Sequence, residues 1–144
     1  MSVQAIERLL TGHERLRKHV ELIRIAAREV PEMSLQERQD AVSRILAFLR
    51  VRLLPHAAEE EQGLYVRVAE VLGHPEATAA MGYDHKAIRA STVALAETDL
   101  HEVERLQELL YGLYALISVH LWKEDQLYIP LVDPPAFPAF DGSP

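Results

Sequence analysis

Residues 120–130, "HLWKEDQLYIP", place two polar side chains on a face that should be buried. Upstream of them, leucines recur at spacings of three and four: Leu106, Leu109, Leu113 and Leu116. This is the pattern of a helix with one buried face, and the same spacing continues through His120 and Glu124. A carboxylate at a core position is costly unless a cation or hydrogen-bond donors replace its lost hydration. The stretch therefore predicts a helical fold whose core holds a compensating group.

Composition limits the class of protein. The chain has 144 residues, enough for one domain with a single core, and 49% of them are hydrophobic. The net charge of −7 argues against a surface for nucleic acid or anionic membranes, which requires clustered Lys and Arg. The absence of cysteine excludes disulfides, thiolate zinc sites and iron–sulfur clusters.

Membrane insertion and export are not expected. No apolar run approaches the roughly 18 to 20 residues that a membrane span needs. The N-terminal stretch "MSVQAIERLL" lacks the charged and then apolar plan of a signal peptide. We therefore expect a cytoplasmic protein that needs no obligatory protein partner.

Capping and turn signals divide the chain into four helices, with approximate limits 3–30, 34–72, 75–97 and 99–129. Capping boxes are predicted at Ser34 with Glu37 and at Asp99 with Glu102, and Pro75 is expected to open the third helix. A kink is expected at Pro55. Short connections predict an all-α, antiparallel up-down-up-down four-helix bundle over residues 1–132, followed by an irregular Pro-rich tail over 133–144.

The predicted buried face of each helix contains one histidine, and only the second and fourth faces add a glutamate one turn later. These in-register polar residues are His13, His56, Glu60, His85, His120 and Glu124. The remaining histidines lie elsewhere. His19 is on another face of the first helix, His74 is in a turn, and His101 is off the buried face of the fourth helix. Position on the helix therefore separates four candidate ligands from three bystanders.

An internal repeat supports this separation. The stretch "GHERLR" at 12–17 resembles "DHKAIR" at 84–89, and "HAAEEEQGLY" at 56–65 resembles "HLWKEDQLYI" at 120–129. Each half therefore has a helix with one histidine, followed by a helix with His-x-x-x-Glu. Two such halves packed about a pseudo-twofold axis would bring four imidazoles and two carboxylates together inside the bundle.

This convergence predicts a metal site. Residues four apart share a helix face and can reach the same ion. Zinc usually takes four ligands, so six donors suit two metals better, with two histidines on each and both glutamates bridging. Imidazole and carboxylate together fit iron, although manganese or zinc could occupy such a site. A lone core histidine is more often simply hydrogen-bonded, but four in register with a matching repeat favour metal binding. The ferritin-like alternative requires Glu-x-x-His, which the chain lacks.

The full pattern resembles the hemerythrin-like family, also called the HHE cation-binding domain family. "HLWKEDQLYIP" is similar to its fourth-helix signature, and the resemblance covers about residues 8–132. It implies a non-heme diiron centre with two Fe ions, oxo- or hydroxo-bridged, in a four-helix bundle. The ligands implied are His13, His56, Glu60, His85, His120 and Glu124.

The chain departs from the oxygen-carrying members of that family. They have His-x-x-x-His on the third helix, whereas Met81 and Arg89 flank His85 at that spacing here. They also use a His-x-x-x-x-Asp spacing on the fourth helix, which Asp125 would satisfy. On a regular helix Glu124 lies about 40° and Asp125 about 140° from His120. We therefore predict Glu124 as the bridge and an outward-pointing Asp125, which remains the weaker candidate.

The missing histidine leaves one coordination position to assign. Water, hydroxide or a phenol could fill it, and Tyr128 is the best-placed phenol on helical geometry, unless it only packs at the end of the bundle. Asp84 is either a hydrogen-bond partner that orients His85 or a solvated residue. Trp122 points away from His120 and is expected to pack or lie on the surface.

Three functions are compatible with this site. The diiron centre could bind O2 or a related small oxidant such as peroxide or NO, it could turn over peroxide or NO as an enzyme, or it could serve iron handling or iron–sulfur cluster repair. Relatives that repair clusters commonly carry an extra Cys-containing N-terminal segment, and since this sequence has no cysteine we expect repair less than the other two functions. We favour binding of O2 or a related small oxidant.

Overall fold

The computed structural model describes residues 2–133, and every regular element in this range is helical. The α-helices are α1 (Val3–Glu29), α2 (Leu35–Phe48), α3 (Leu54–Gln62), α4 (Leu64–Leu72), α5 (Ala79–Glu97), α6 (Val103–Lys123) and α7 (Ile129–Val132). The predicted all-α class is confirmed. The predicted Pro-rich tail lies outside the described residues, apart from Asp133. No helix between residues 2 and 133 is long and apolar enough to cross a membrane.

The predicted helix starts are partly correct. Ser34 and Glu37 form the expected capping box at the start of α2. The capping box predicted at Asp99 is wrong: its carboxylate accepts a hydrogen bond from the His101 N–H at 2.8 Å, which makes a turn, and α6 begins only at Val103. Pro75 does not open the third helix either. Residues 75–78 form turns closed by i to i+3 hydrogen bonds, and α5 begins at Ala79.

The second predicted helix is interrupted twice. A π-helical turn, Leu49–Leu53, precedes Pro55, and the Leu54 N–H donates to the Leu49 carbonyl five residues back. This wider turn accommodates a proline, which has no N–H to donate. Gly63 then separates α3 from α4 with a φ of −118° and a ψ of −82°. A Cβ at this glycine would lie 3.3 Å from the Glu59 carbonyl oxygen, so the break favours a residue without a side chain.

A second π-helical turn, Glu124–Tyr128, interrupts the fourth predicted helix. It adds a residue to the turn before Pro130, so the faces of the following residues shift. Leu127, which the regular spacing would bury, is 52% exposed, whereas Ile129 is 5% exposed.

Residues near the start of one helix contact residues near the end of the neighbouring helix. Gln107, near the start of α6, donates to the Ala27 carbonyl near the end of α1 at 2.9 Å. Asp84, near the start of α5, contacts His120 near the end of α6. These contacts agree with the predicted antiparallel arrangement.

Two apolar clusters make up the core. The larger contains side chains of α1, α2, α5 and α6, and the smaller contains Ile6, Leu64, Tyr65, Val68, Met81 and Ile129. On α1, His13 falls between Ile6 of the smaller cluster and Leu16 of the larger. The candidate ligands thus occupy the layer between two apolar regions.

Candidate metal centre

The structure brings all six predicted ligands into one cluster. His56 is half-buried. The other five ligands are at most 3% exposed: His13, His85, His120, Glu60 and Glu124. Two sets of donor atoms each lie within 4.8 Å of one another, His13 with His56 and Glu60, and His85 with His120 and Glu60. The two histidine pairs therefore share Glu60.

The imidazoles meet through their Nε2 atoms. His13 Nε2 lies 3.1 Å from His56 Nε2, and His85 Nε2 lies 2.9 Å from His120 Nε2. One pair joins α1 to α3 and the other joins α5 to α6. This matches the two equivalent halves that the internal repeat predicts.

Glu60 spans the two histidine pairs. Its Oε2 lies 3.3 Å from His13 Nε2 and 3.4 Å from His56 Nε2, while its Oε1 lies 3.8 Å from His85 Nε2. The two carboxylate oxygens thus face different pairs. This is the arrangement expected of a carboxylate that bridges two ions.

Glu124 also lies between the pairs. Its Oε1 is 3.0 Å from His120 Nε2 and 4.0 Å from His13 Nε2. Despite these short distances, neither carboxylate oxygen has a hydrogen-bond partner within the part of the chain that the structure describes. Burial raises the pKa of Glu124 to about 7, whereas the imidazoles of His13 and His56 keep the pKa of Glu60 low despite its burial.

Three of the four imidazoles are held from outside by carboxylates. His13 Nδ1 lies 2.7 Å from Asp125 Oδ1, His85 Nδ1 lies 2.7 Å from Glu61 Oε1, and His120 Nδ1 lies 2.9 Å from Asp84 Oδ2. A carboxylate only accepts hydrogen bonds, so each Nδ1 carries the proton. In a neutral ring the Nε2 atom is then unprotonated, and its lone pair points into the cluster.

Cationic side chains support the outer carboxylates. Arg17 pairs with Asp125, Arg89 Nη2 lies 3.1 Å from Glu61 Oε1, and Lys123 pairs with Asp84. Burial alone would raise the pKa of Glu61, but hydrogen bonds with His85 and Arg89 lower it. Hydrogen bonds with Lys123 and His120 likewise lower the pKa of Asp84, so Glu61 and Asp84 are ionised acceptors.

These features fit bound cations. The Nε2 atoms of His85 and His120 lie 2.9 Å apart, and their lone pairs repel each other unless a positive charge lies between them. The buried carboxylate of Glu124 likewise lacks a donor among residues 2–133. Metal ions bound by imidazole and carboxylate would satisfy both groups, because they supply positive charge where the protein supplies no proton.

Sequence reasoning missed Tyr65. Its hydroxyl lies 3.1 Å from His85 Nε2 and 3.2 Å from His120 Nε2, and the residue is 4% exposed. Burial, together with the charges of the two cluster glutamates, raises its pKa. On an uninterrupted helix Tyr65 would point about 180° from His56. The break at Gly63 changes that direction, so the helical spacing carried no signal for this residue.

Tyr128, the predicted phenol, does not reach the cluster. Its hydroxyl donates to the Ala77 carbonyl oxygen at 3.2 Å, and the ring lies 6.3 Å from the ring of Tyr65. The π-helical turn before it shifts its direction. Tyr128 therefore packs at the end of the bundle, which was the alternative interpretation.

The predicted directions of two acidic residues are also wrong. Asp125 does not point away but contacts His13 on the neighbouring helix α1, just as Glu61, on the regular helix α3, contacts His85 on α5. Asp84 supports an imidazole as proposed, but that of His120 on the neighbouring helix rather than that of His85. A signal for the outer carboxylates existed, since the repeat pairs Glu61 with Asp125.

The remaining histidines have other contacts. His19 bonds to the Arg15 carbonyl and stacks on Phe48 with ring centroids 4.8 Å apart. The His74 ring accepts from the Glu76 N–H in the turn before α5, and His101 contacts Asp99. Trp122 is 57% exposed, so it lies on the surface.

Of three comparisons with known proteins, one found a match. No curated protein and no solved structure shows significant similarity to the chain. The chain does match the family described as Hemerythrin HHE cation binding domain, over residues 4–132. This match spans nearly the whole chain, and the cluster of buried histidines and glutamates fits the cation binding that the family's name describes. The chain belongs to the hemerythrin HHE cation-binding domain family.

Proposed function

We propose that this protein is a non-heme diiron protein that binds O2 or a related small oxidant, such as peroxide or NO, within an up-down-up-down four-helix bundle. His13 and His56 would hold one iron, and His85 and His120 the other. Glu60 and Glu124 would bridge the two ions. The observation that carries the proposal is the pair of facing imidazole sets with shared carboxylates between them.

Iron is favoured by the chemistry of the donors. Imidazole and carboxylate ligands suit iron, and the absence of cysteine removes the thiolates that favour zinc or iron–sulfur clusters. When bound, a pair of irons supplies redox chemistry that lets a site accept O2, peroxide or NO. Two bridging carboxylates also offset the positive charge of two cations inside an apolar core.

The side chains around the donors have separate tasks. Asp125, Glu61 and Asp84 hold three imidazoles in the tautomer whose Nε2 can bind an ion. The apolar clusters on either side limit the contact of this layer with bulk water. These residues fix the donors before an ion arrives, so little ordering remains to be done on binding.

Tyr65 would complete the donor set of the His85 and His120 half. Its oxygen faces both Nε2 atoms of that pair. Coordination would lower the pKa of the phenol, because a cation favours the phenolate. We therefore expect a phenolate ligand in the loaded protein.

The test is metal content followed by anaerobic reduction. Protein expressed with ample iron should contain about two irons per chain, since the donors form two sets. After anaerobic reduction, addition of O2 or peroxide should restore the near-ultraviolet absorption of the oxidised iron pair. A content of one metal per chain, or of zinc alone after iron-replete expression, would contradict the proposal.

A further inference from the structure

The outer side of α6 carries no charged side chain over about four helical turns. Residues 109–122 contain no Asp, Glu, Lys or Arg, although 26% of the whole chain is charged. Trp122 is 57% exposed, Val119 is 56% exposed and Tyr111 is 42% exposed. We call the exposed residues of this stretch the α6 face: Tyr111, Gly112, Ala115, Val119 and Trp122.

Exposed residues of α5 extend the α6 face at one end. Asp84 of α5 pairs with Lys123 of α6, so Tyr83 and Trp122, which precede them in the chain, lie at the same end of the helix pair. Tyr83 is 67% exposed, and Lys86 Nζ lies 4.8 Å from the centroid of its ring. Two small exposed residues follow on this side of α5, at spacings of four and three: Ala87 and Ala90.

The charged residues at the ends of the α6 face are paired within the chain. Glu108 precedes the face, and its Oε2 lies 3.2 Å from Arg105 Nη1. Lys123 follows the face and pairs with Asp84. Two copies of a chain with a net charge of −7 repel each other at most orientations. Contact through the α6 face would bring no like charges together.

The order of side-chain sizes suits an antiparallel pair of α6 helices. The large rings of Tyr111 and Trp122 are at the ends of the α6 face, and Ala115 is near its centre. A two-fold axis at Ala115 would place the two copies of this alanine together and would set Val119 of each copy opposite Tyr111 of the other. The helix axes could then approach closely, while the larger side chains pack around the centre of the contact.

The exposed apolar area is sufficient for a weak dimer. A whole Trp or Tyr side chain has roughly 150–250 Å² of surface, so at their exposures Tyr83, Tyr111 and Trp122 together present roughly 250–400 Å² in each copy. With Val119 and the exposed alanines, two copies would bury roughly 1,000 Å² in total, which is near the lower limit for a specific interface.

We propose that the α6 face is the contact of a reversible, two-fold symmetric dimer, in which the partner is a second copy of this chain. His120 and Glu124 lie on the opposite, buried side of the same helix. The dimer therefore needs no metal, and the inference goes beyond the proposed function without depending on it.

The first experiment measures association of the full chain by sedimentation velocity. Between about 1 and 100 µM, the mass should rise from that of one chain toward that of two. Ala115→Glu should raise the dissociation constant on the order of tenfold or more, because it places two carboxylates together at the axis. Ala47→Glu, at an exposed position on α2, makes the same change of charge and should keep the wild-type constant. Circular dichroism checks that each variant is folded.

The second experiment mixes two variants of opposite charge. Ala115→Lys should also associate weakly by itself, whereas an equimolar mixture of Ala115→Glu and Ala115→Lys should dimerise, since the axis then joins opposite charges. Trp122 is the single tryptophan of the chain, so its fluorescence emission should move to shorter wavelength when the wild type or the mixture associates.

Three results would overturn the inference: a wild type that is monomeric at about 100 µM, Ala115→Glu that associates as the wild type does, or a mixture that does not dimerise. A monomeric wild type would leave the α6 face to a different partner. Iron-loaded and metal-free protein should dimerise alike. Protein that dimerises but holds no iron would contradict the proposed function and support the α6 face as a contact between copies.

Discussion

Glu124 is a fully buried carboxylate next to another carboxylate, Glu60. Its oxygens find no hydrogen-bond donor in the described part of the chain, and its pKa is raised to about 7 by burial. In metal-free protein this residue should therefore reduce stability near neutral pH. Its presence makes sense if the charge is needed for cations.

Glu124→Gln tests separately how the buried charge affects folding stability and how it affects iron binding. At pH 8 the metal-free variant should have a free energy of unfolding about 1–3 kcal/mol higher than metal-free wild type, because the amide has a similar volume and no charge to bury. Iron content should fall, since Glu124 is proposed to bridge the two ions. Chemical denaturation and metal analysis check both results.

The pH dependence of this effect has a defined sign. The pKa of Glu124 is about 7 in the folded protein against an ordinary value of 4.5, so the folded state binds the extra proton between these values. This contribution to the stability of metal-free wild type is lost as the pH rises through that range. The advantage of Glu124→Gln should thus shrink toward pH 5. An advantage that is the same at pH 5 and pH 8 would contradict this assignment.

Tyr65→Phe tests the phenol at the His85 and His120 half. A phenolate bound to ferric iron should give a visible absorption band, and the variant should lose this band while it keeps its iron, because the other donors are unchanged. Tyr128→Phe is the matched control, since its hydroxyl donates to the Ala77 carbonyl oxygen and, among residues 2–133, does not reach the histidines of the cluster. A band that persists in Tyr65→Phe would remove Tyr65 from the ligand set.

At the scale of secondary-structure elements, irregular helix turns determine which side chains reach the metal centre. The turn at Glu124–Tyr128 directs Tyr128 away from the cluster and moves Leu127 to the surface. The break at Gly63 directs Tyr65 toward the second histidine pair. π-Helical turns of this kind occur often at functional sites.

Gly63→Ala tests the break between α3 and α4. The added Cβ would lie 3.3 Å from the Glu59 carbonyl oxygen, so the backbone must shift and stability should fall by about 1 kcal/mol. Gly112→Ala, in the interior of α6 with no atom within 4 Å of its Cβ, should instead raise stability by about 0.5–1 kcal/mol. Thermal unfolding of both variants checks the contrast. Equal effects would show that Gly63 is not needed for the break.

For the whole molecule, folding and metal binding should be linked. Ions that bind only the folded chain stabilise it by mass action, and they also offset the repulsion among buried lone pairs and carboxylates. Removal of iron by a chelator should therefore lower the melting temperature. The decrease should be smaller for Glu124→Gln, whose metal-free form is less strained.

The same linkage separates ligands from bystanders. Alanine substitution of any one cluster histidine should lower both the iron content and the melting temperature. These histidines are His13, His56, His85 and His120. The same substitution at the surface histidines His74 and His101 should change neither, while His19→Ala should lose only its packing on Phe48. Iron loss in His19→Ala without loss in His13→Ala would contradict the proposed ligand set.

The sequence by itself was sufficient to predict the helical class and the six residues that converge. Both depend on local periodicity: an apolar spacing of three and four places His13, His56, His85 and His120 on buried faces, and the repeat relates the two halves. Helical geometry is regular over most of the chain, so positions relative to the core follow from counting residues.

Only the tertiary structure decided what lies around those six residues. The break at Gly63 changes the register, so Tyr65 points inward where regular spacing would turn it away. Asp125 contacts His13 because α1 lies beside its flank of the helix. The pairing of Asp84 with His120 and the exposed edge of His56 depend on which helices are neighbours and how closely they approach. Such contacts join residues far apart in the chain, and local periodicity does not encode them.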